Sequence, residues 1–419
     1  MSKTRIDENP ALLMKWDPLF SRRADTASPL KCAMKNPLPG MPLIRAALIL
    51  LVFGMAKAGS AEKKAAAGTK SWAIPRGGNA LQGRVPEAVP RKPRVKWDAV
   101  LDGPVTGDAA IADGTVYVGT VMGTFYALNL ETGKERWKFE TEDTIDAPPT
   151  VGLGKVFIGS SDRFFYCLDQ ETGKEIWKYE GADKFVGGGL LVRSPDNRED
   201  WMVVNGYDGT CRALRTKDGS EAWTYESAQP INGTPALVNG RTVVLGGRDA
   251  LVHVIDVTNG KAVKEVQVDA EIIGTVATMG SMVYCANYGN QLVAVDTKQK
   301  KPKWVYEDKD FGFYAAPALN DELVFIGSRD KHLHAVNREN GKRVWRVKTG
   351  SRIDGGAIVF RDAVVVGSGD GRLYALKPSD GSEIWRLDLG EGISSDLAFA
   401  NGCIVVGGSD GSLFCVEGQ

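Results

Sequence analysis

The residues of this chain best suited to chemistry are few, and their spacing decides what they could do. His332 and His334 stand two apart, so a strand would place both imidazoles on one face, the start of a metal site. The sequence places no third ligand beside them, and no metal is expected. Asp146 and Asp354 occupy corresponding places in two repeats and suit, in the abstract, a proton acceptor and a calcium ligand. Two aspartates among eight equivalent loop positions arise without catalysis, so no catalytic residue is assigned. Turns such as Asp208-Gly209, Asp370-Gly371 and Asp410-Gly411 lack the alternating oxygen ligands of a calcium loop. Val186-Gly-Gly-Gly-Leu190 stands at a strand start with no helix behind it and is not a phosphate loop.

What positions these residues is a repeat. Tyr126-Ala-Leu-Asn-Leu-Glu-Thr-Gly-Lys-Glu-Arg-Trp137 returns in altered form to the end of the chain. Trp137, Trp177, Trp223, Trp304, Trp345 and Trp385 are separated by 40, 46, 81, 41 and 40 residues. The gap of 81 holds one more copy, Thr258-Asn-Gly-Lys, with Lys264 where tryptophan is expected. Trp304 follows a turn without glycine, Asp296-Thr-Lys-Gln-Lys. Trp97 lies 40 residues before Trp137 with no repeat in front of it.

A period of about 40 residues marks a repeat architecture, and each unit reads as four short strands. In the unit beginning at Ala147 these are Pro148–Gly152, Lys155–Gly159, Phe164–Leu168 and Ile176–Tyr179. A four-stranded unit cannot cover its own apolar faces, whereas eight units around an axis can. The last copy stops after its third strand at Val416, so the strand around Trp97 supplies its fourth. The fold class expected is all-β: an eight-bladed β-propeller of four-stranded antiparallel blades over residues 94–417, the last blade closed by the N-terminal strand. Deleting residues 94–101 should then expose strand edges, and removing 62–90 should be far milder.

The seven tryptophans Trp97, Trp137, Trp177, Trp223, Trp304, Trp345 and Trp385 are expected to dock each blade on its neighbour, with a weaker contact at Lys264. Ala127-Leu-Asn-Leu-Glu-Thr-Gly-Lys-Glu-Arg-Trp137, Cys167-Leu-Asp-Gln-Glu-Thr-Gly-Lys-Glu-Ile-Trp177 and Ala375-Leu-Lys-Pro-Ser-Asp-Gly-Ser-Glu-Ile-Trp385 resemble the docking motif of the PQQ-like repeat family. That family includes quinoprotein alcohol dehydrogenases and cofactor-free propellers of the BamB kind. The resemblance implies the fold and leaves function open between them. A pyrroloquinoline quinone (PQQ) enzyme would need bound calcium, a carboxylate base and commonly a vicinal disulfide over the quinone. The chain has no Cys-Cys pair and no long insertion to roof a cofactor, the largest being the six extra residues near Arg193–Glu199. The favoured reading is a cofactor-free scaffold that binds a protein or peptide of the cell envelope. A PQQ- and calcium-dependent alcohol or sugar dehydrogenase, and a propeller binding a small ligand or glycan, are the alternatives.

In propellers, function collects on one face, on the loops from each second strand to the third and on those that run from each fourth strand to the next first strand. Each loop of the latter kind carries an apolar anchor: Val105, Ile145, Phe185, Ile231, Ile272, Phe313, Ile353 and Ile393. The following residue should face the axis, giving a channel mouth of Thr106, Asp146, Val186, Asn232, Ile273, Tyr314, Asp354 and Ser394. Phe164, Tyr207, Tyr288, Phe311 and Tyr314 are the aromatics expected on the loops of that face.

Lys+Arg and Asp+Glu balance at 52 each, which argues against a nucleic-acid partner. Residues 41–61 carry a basic start, a short apolar run and a small-residue end, the pattern of a signal peptide. Residues 1–40 read as an extension upstream of the native start, and 62–93 as a linker or lead-in segment. The expected mature protein is a soluble periplasmic or secreted monomer without a membrane span. Cys167, Cys211, Cys285, Cys403 and Cys415 survive cleavage. Pairing Cys415 with Val406 across the last hairpin puts the thiols of Cys403 and Cys415 on opposite faces, and no disulfide is expected.

Overall fold

The computed structural model describes residues 69–308 and 311–419. The proposed signal peptide and upstream extension lie outside the described residues. Eight separate four-stranded antiparallel sheets follow one another along the chain. Their innermost strands begin at Ala110, Thr150, Leu190, Ala236, Ala277, Ala318, Ile358 and Ala398, and the sheets are numbered blades 1 to 8 in that order. In blade 8 the fourth strand is Arg94–Val100, paired antiparallel with Ser412–Glu417 so that Trp97 faces Cys415. The ring is closed as the repeat count requires.

Alternation explains the layers. The second and third strands of each blade, such as Thr115–Gly119 and Thr124–Asn129, are buried almost throughout because both faces meet neighbouring blades. Outer strands such as Glu135–Glu140 and Glu175–Glu180 carry charge along an exposed edge, which discourages pairing with another chain. Innermost strands are shorter than the sequence suggests: that of blade 2 runs only Thr150–Gly152, since Pro148 and Pro149 cannot donate to a ladder.

Every docking tryptophan except Trp385 donates its indole N–H to a backbone carbonyl in the third-to-fourth turn of the next blade. Trp137 bonds Gln170 at 3.1 Å, Trp223 bonds Val257 at 2.8 Å and Trp345 bonds Pro378 at 2.8 Å. The indole covers that turn's glycine: a Cβ on Gly173 would lie 2.5 Å from the Trp137 ring. Gly173 also has φ +69°, so two separate constraints select glycine there. Between blades 4 and 5 both partners are replaced together, Lys264 for the indole and Lys300 for the glycine.

A second recurring device ties the hairpin between second and third strands. Its aspartate holds the side chain four residues on: Asp162 with Tyr166 and Asp370 with Tyr374 at 2.6 Å, Asp208 with Arg212 at 2.6 Å, Asp249 with His253 at 3.1 Å. These buckles explain where the histidines sit in the repeat.

Two expectations require correction. In the last hairpin Cys415 pairs with Val405 and Cys403 with Glu417, one step from the expected register. Cys403 and Cys415 therefore share a face, as diagonal neighbours, and both are buried free thiols. The lead-in is also no linker from Thr69 onward. Trp72, Arg76, Leu81, Val85 and Val89 are each at most 2% exposed, and Leu81 enters the core between blades 4 and 5.

Candidate functional site

The face bearing the fourth-to-first loops is built on the predicted anchors. All eight, from Val105 to Ile393, are buried. The residue after each is half-buried or, at Thr106, exposed, which sets Thr106, Asp146, Val186, Asn232, Ile273, Tyr314, Asp354 and Ser394 at the top of the innermost strands. One residue further in, the strands crowd: a Cβ on Gly187 or Gly233 would lie 2.6 or 2.5 Å from a carbonyl oxygen of the next blade. The structure does not leave the two aspartates of the ring free. Asp146 accepts the hydroxyl of Thr106. Asp354 sits between Arg329 Nε at 2.7 Å and Arg352 Nε at 2.8 Å.

The most distinctive part of this face lies on the loops between second and third strands. In every blade the second residue of that loop donates its backbone N–H to the preceding fourth-to-first loop, so the eight positions are equivalent: Val121, Ser161, Tyr207, Arg248, Tyr288, Arg329, Gly369 and Ser409. Four consecutive blades, 3 to 6, place Tyr, Arg, Tyr, Arg there, and the other four place small or aliphatic side chains. Arg248 donates to Tyr207 Oη at 2.6 Å and its guanidinium carbon lies 5.9 and 5.6 Å from the Tyr207 and Tyr288 ring centres. Tyr288 meets Tyr314 edge-on at 6.1 Å, and Arg329 stacks on Tyr314 at 3.9 Å. Lys184 stands 4.7 Å over Tyr207 at one end. The result is a continuous ladder of cations and aromatic rings over half the face.

Tyr288 is 45% exposed, so the ladder presents apolar area as well as charge. Of the aromatics expected here, Tyr207, Tyr288 and Tyr314 join it. Phe164 does not, because it is held under Lys178 against Tyr166. Sequence reasoning missed Arg248 and Arg329. Aligning the loop position across all eight repeats is the signal that would have found them.

Asp308, Asp330 and His334 converge closely enough to suggest a metal site. Their bonding points elsewhere. His334 is fully buried, with Nδ1 3.0 Å from Tyr306 Oη and Nε2 3.2 Å from Asp330. Asp308 accepts from Arg343 and from Arg346. Burial alone would raise the Asp330 carboxyl, but the hydrogen bond and charge of His334 hold it down at about 2. Protein donors thus take the lone pairs a cation would use, and His332 turns its Nδ1 to Asp330.

The family model for outer membrane protein assembly factor BamB matches residues 64–188, 146–347 and 329–418. The chain belongs to that family. Curated BamB relatives include those of Shewanella oneidensis (25% identity over 175 residues, 38% of this chain and 44% of the relative). Those of Xanthomonas campestris (30% over 268 residues, 62% and 57%) and Escherichia coli K12 (30% over 270 residues, 61% and 66%) also match. The chain spans less than two thirds of the length of each of these three relatives. Among solved structures, BamB from Moraxella catarrhalis superposes with a TM-score of 0.66 at 21% identity, covering 78% of this chain and 98% of that one. Quinohemoprotein alcohol dehydrogenase from Comamonas testosteroni gives 0.71 at 14% identity, covering 84% and 81%. At these identities the superpositions show the fold alone.

A quinone site at the channel mouth would have to draw on the two aspartates of the ring. Asp354 is neutralised by two guanidinium groups and Asp146 is engaged by Thr106. Asp354 is thus engaged on both oxygens, whereas Asp146 accepts through Oδ1 alone.

Proposed function

We propose that this protein is an exported, non-catalytic scaffold acting in outer membrane protein assembly, and that the Tyr207–Arg248–Tyr288–Arg329 ladder is its docking surface for a protein partner. Membership of the BamB family supports the process, and the names of its curated relatives support assembly over catalysis. The observation that carries the site is the confinement of Tyr and Arg to four consecutive blades at one equivalent loop position. Tyr and Arg are the residues most enriched at the centres of protein interfaces, because both bring large contact area with directional polar ends. The rungs are fastened to one another and to Glu271 and Asp354, so little side-chain freedom is lost on binding. Among the described residues no helix is long and apolar enough to cross a membrane. Periplasmic placement, a protein partner and work as a monomer without cofactor belong to the same reading.

The test is complementation in a host lacking the gene. A chain with Tyr207→Ser, Arg248→Ser, Tyr288→Ser and Arg329→Ser should fold with unchanged thermal stability and fail to restore outer membrane β-barrel proteins to their normal abundance. Full restoration by this variant would remove the ladder from the proposal. Normal barrel levels in the deletion strain itself would remove the process.

A further inference from the structure

The lead-in Thr69–Arg91 runs around the axis on the face opposite the ladder and bonds to one blade after another. The innermost strands leave backbone N–H groups without a neighbouring strand on the channel side, and buried groups of that kind must find partners. In six blades the same repeat position finds one in the lead-in. Ile111, Val151, Leu237, Thr278, Leu319 and Val359 donate to the carbonyls of Trp72, Ala73, Asn79, Ala80, Gln82 and Gly83 at 3.0, 2.7, 2.7, 2.9, 2.9 and 2.6 Å. Blade 8 adds Asn401 N–H to Thr69 O at 2.8 Å. Blade 3 is reached by packing alone: Pro75 lies against Gly188, where a Cβ would come within 2.8 Å of its ring. Thr69 returns to Glu87 through its hydroxyl at 2.8 Å, so the segment closes on itself.

One residue of this segment is out of character. Arg76 is 1% exposed, with φ +56° in a short 3-10 turn, Pro75–Gly77. Its Nη2 donates to Ala357 O at 2.7 Å and its Nη1 lies 3.1 Å from Asp396 Oδ2. Asp396 also accepts the N–H of Gly356, and buried Asp108 lies beside Asp396. Asp108, Gly188, Gly356 and Asp396 occupy one repeat position, three residues past the anchors, in blades 1, 3, 7 and 8. A Cβ on Gly356 would lie 2.5 Å from Arg76 Nη1, and one on Gly83 would lie 2.3 Å from Nη2. The Pro75–Arg76 pair therefore bridges blades 3 and 7, opposite members of the ring, across the channel.

We infer that the inner edges of the propeller form a peptide-binding site whose ligand is the chain's own segment 69–91, and that Arg76, seated between Asp396 and the Ala357 carbonyl, is the residue that fixes its register. Main-chain bonds to successive strands supply sequence-independent affinity, as in strand addition. They would tolerate a slip along the ring, and a buried guanidinium with one matching seat does not. The seat lies at the junction of blades 7, 8 and 1, so the segment closes the ring a second time, from within, where Arg94–Val100 closes it from outside. This inference stands independently of the partner proposed for the ladder.

The experiment uses the full chain with a protease site replacing Lys92-Pro93. After cleavage the segment should stay bound through gel filtration and exchange with a fluorescent synthetic peptide of residues 65–91. Competing peptides carrying Arg76→Lys and Arg76→Met should bind about tenfold and about a hundredfold more weakly, since removing one partner of a buried pair strands the other. Equal competition by all three peptides would overturn the role of Arg76, and immediate loss of the cut segment from a ring that stays folded would overturn the site. If the ring unfolds once cut, the uncut chain decides. Arg76→Met should speed amide exchange at Ile111, Val151, Leu237, Thr278, Leu319 and Val359 by more than tenfold while leaving the third strands unchanged. Unaltered exchange at those six amides would refute the inference.

Discussion

Trp385 donates its indole N–H to the carbonyl of Pro90, 2.9 Å away and 295 positions earlier in the chain. Every other docking tryptophan finds its acceptor in the next blade's third-to-fourth turn. Blade 8 has no such turn, because its third and fourth strands come from opposite ends of the sequence. The lead-in stands in for it. Deleting residues 69–91 should therefore be nearly as damaging as deleting 94–100, where the unaided sequence suggests a mild effect. Both truncations should lower the unfolding temperature and promote aggregation through exposed strand edges, measurable by scanning fluorimetry with light scattering. A 69–91 deletion of full stability would contradict this.

Trp345→Ala should cost about 3 to 5 kcal/mol, from lost burial, an emptied inter-blade cavity and an orphaned Pro378 carbonyl. Urea denaturation of the two proteins gives the difference directly. Values under 1 kcal/mol would mean the indole is dispensable.

Lys264 and Lys300 should be coupled. Lys264→Trp alone gives the indole a turn whose residue 300 lacks the positive φ found at Gly133, Gly173 and Gly260. Lys300→Gly alone frees a turn with nothing to dock. Together they recreate the contact used elsewhere, and a double-mutant cycle should show a favourable interaction of about 1 to 3 kcal/mol. Strict additivity would show that the seam between blades 4 and 5 is built on other terms.

Asp108 is predicted to limit stability at neutral and alkaline pH. Burial, with the negative charge of Asp396 beside it, raises its carboxyl well above the ordinary range, against the opposing pull of Arg76. A carboxyl raised on folding keeps a proton that the unfolded chain releases, so native stability falls as pH climbs from about 4 towards the folded value. Asp108→Asn removes this loss while keeping a neutral polar group in place. The variant should match the wild type near pH 4 and exceed it increasingly towards pH 8, as followed by denaturation midpoints. Parallel pH profiles would show that Asp108 is charged in the fold.

Asp330 should act in the opposite sense. Held at about 2 by His334 in spite of burial, it contributes stability that is complete above the unfolded value near 4 and is lost as pH falls to 2. Asp330→Asn should flatten acid unfolding in that interval. An unchanged acid transition would assign it to other carboxylates.

The ring was legible in the sequence because each of its determinants is local and repeated: a tryptophan, a turn glycine and an apolar anchor every forty residues. The burial of Val105, Ile145 and Phe185 follows from period alone. The lead-in was not legible, since its partners lie far away in the chain, 281 residues for Arg76 and Ala357 and 295 for Pro90 and Trp385, and a run rich in Ala, Gly and Pro carries no period of its own. The register of Cys403 and Cys415 failed for a smaller reason: centring the last turn one residue off inverts every side chain of a hairpin. Arg248 and Arg329 were not legible because a charged loop residue carries no local mark of whether its guanidinium meets solvent or an aromatic ring on the next blade.

The path of the lead-in also determines how the molecule answers to force. Thr69 joins the disc beside Asn401, on the face away from the ladder, so tension from anything attached ahead of it arrives there. Such a pull meets the bonds to blades 8, 1 and 2 one at a time, a peeling geometry in which each breaks alone, until it reaches Arg76. There the guanidinium, trapped behind the Gly83 and Gly356 backbones, resists as a toggle does behind a buttonhole. The molecule is thus weak at the rim of its tether and strong at the centre, and a load on its N-terminus is stopped at the axis before it reaches the strands that hold the blades together.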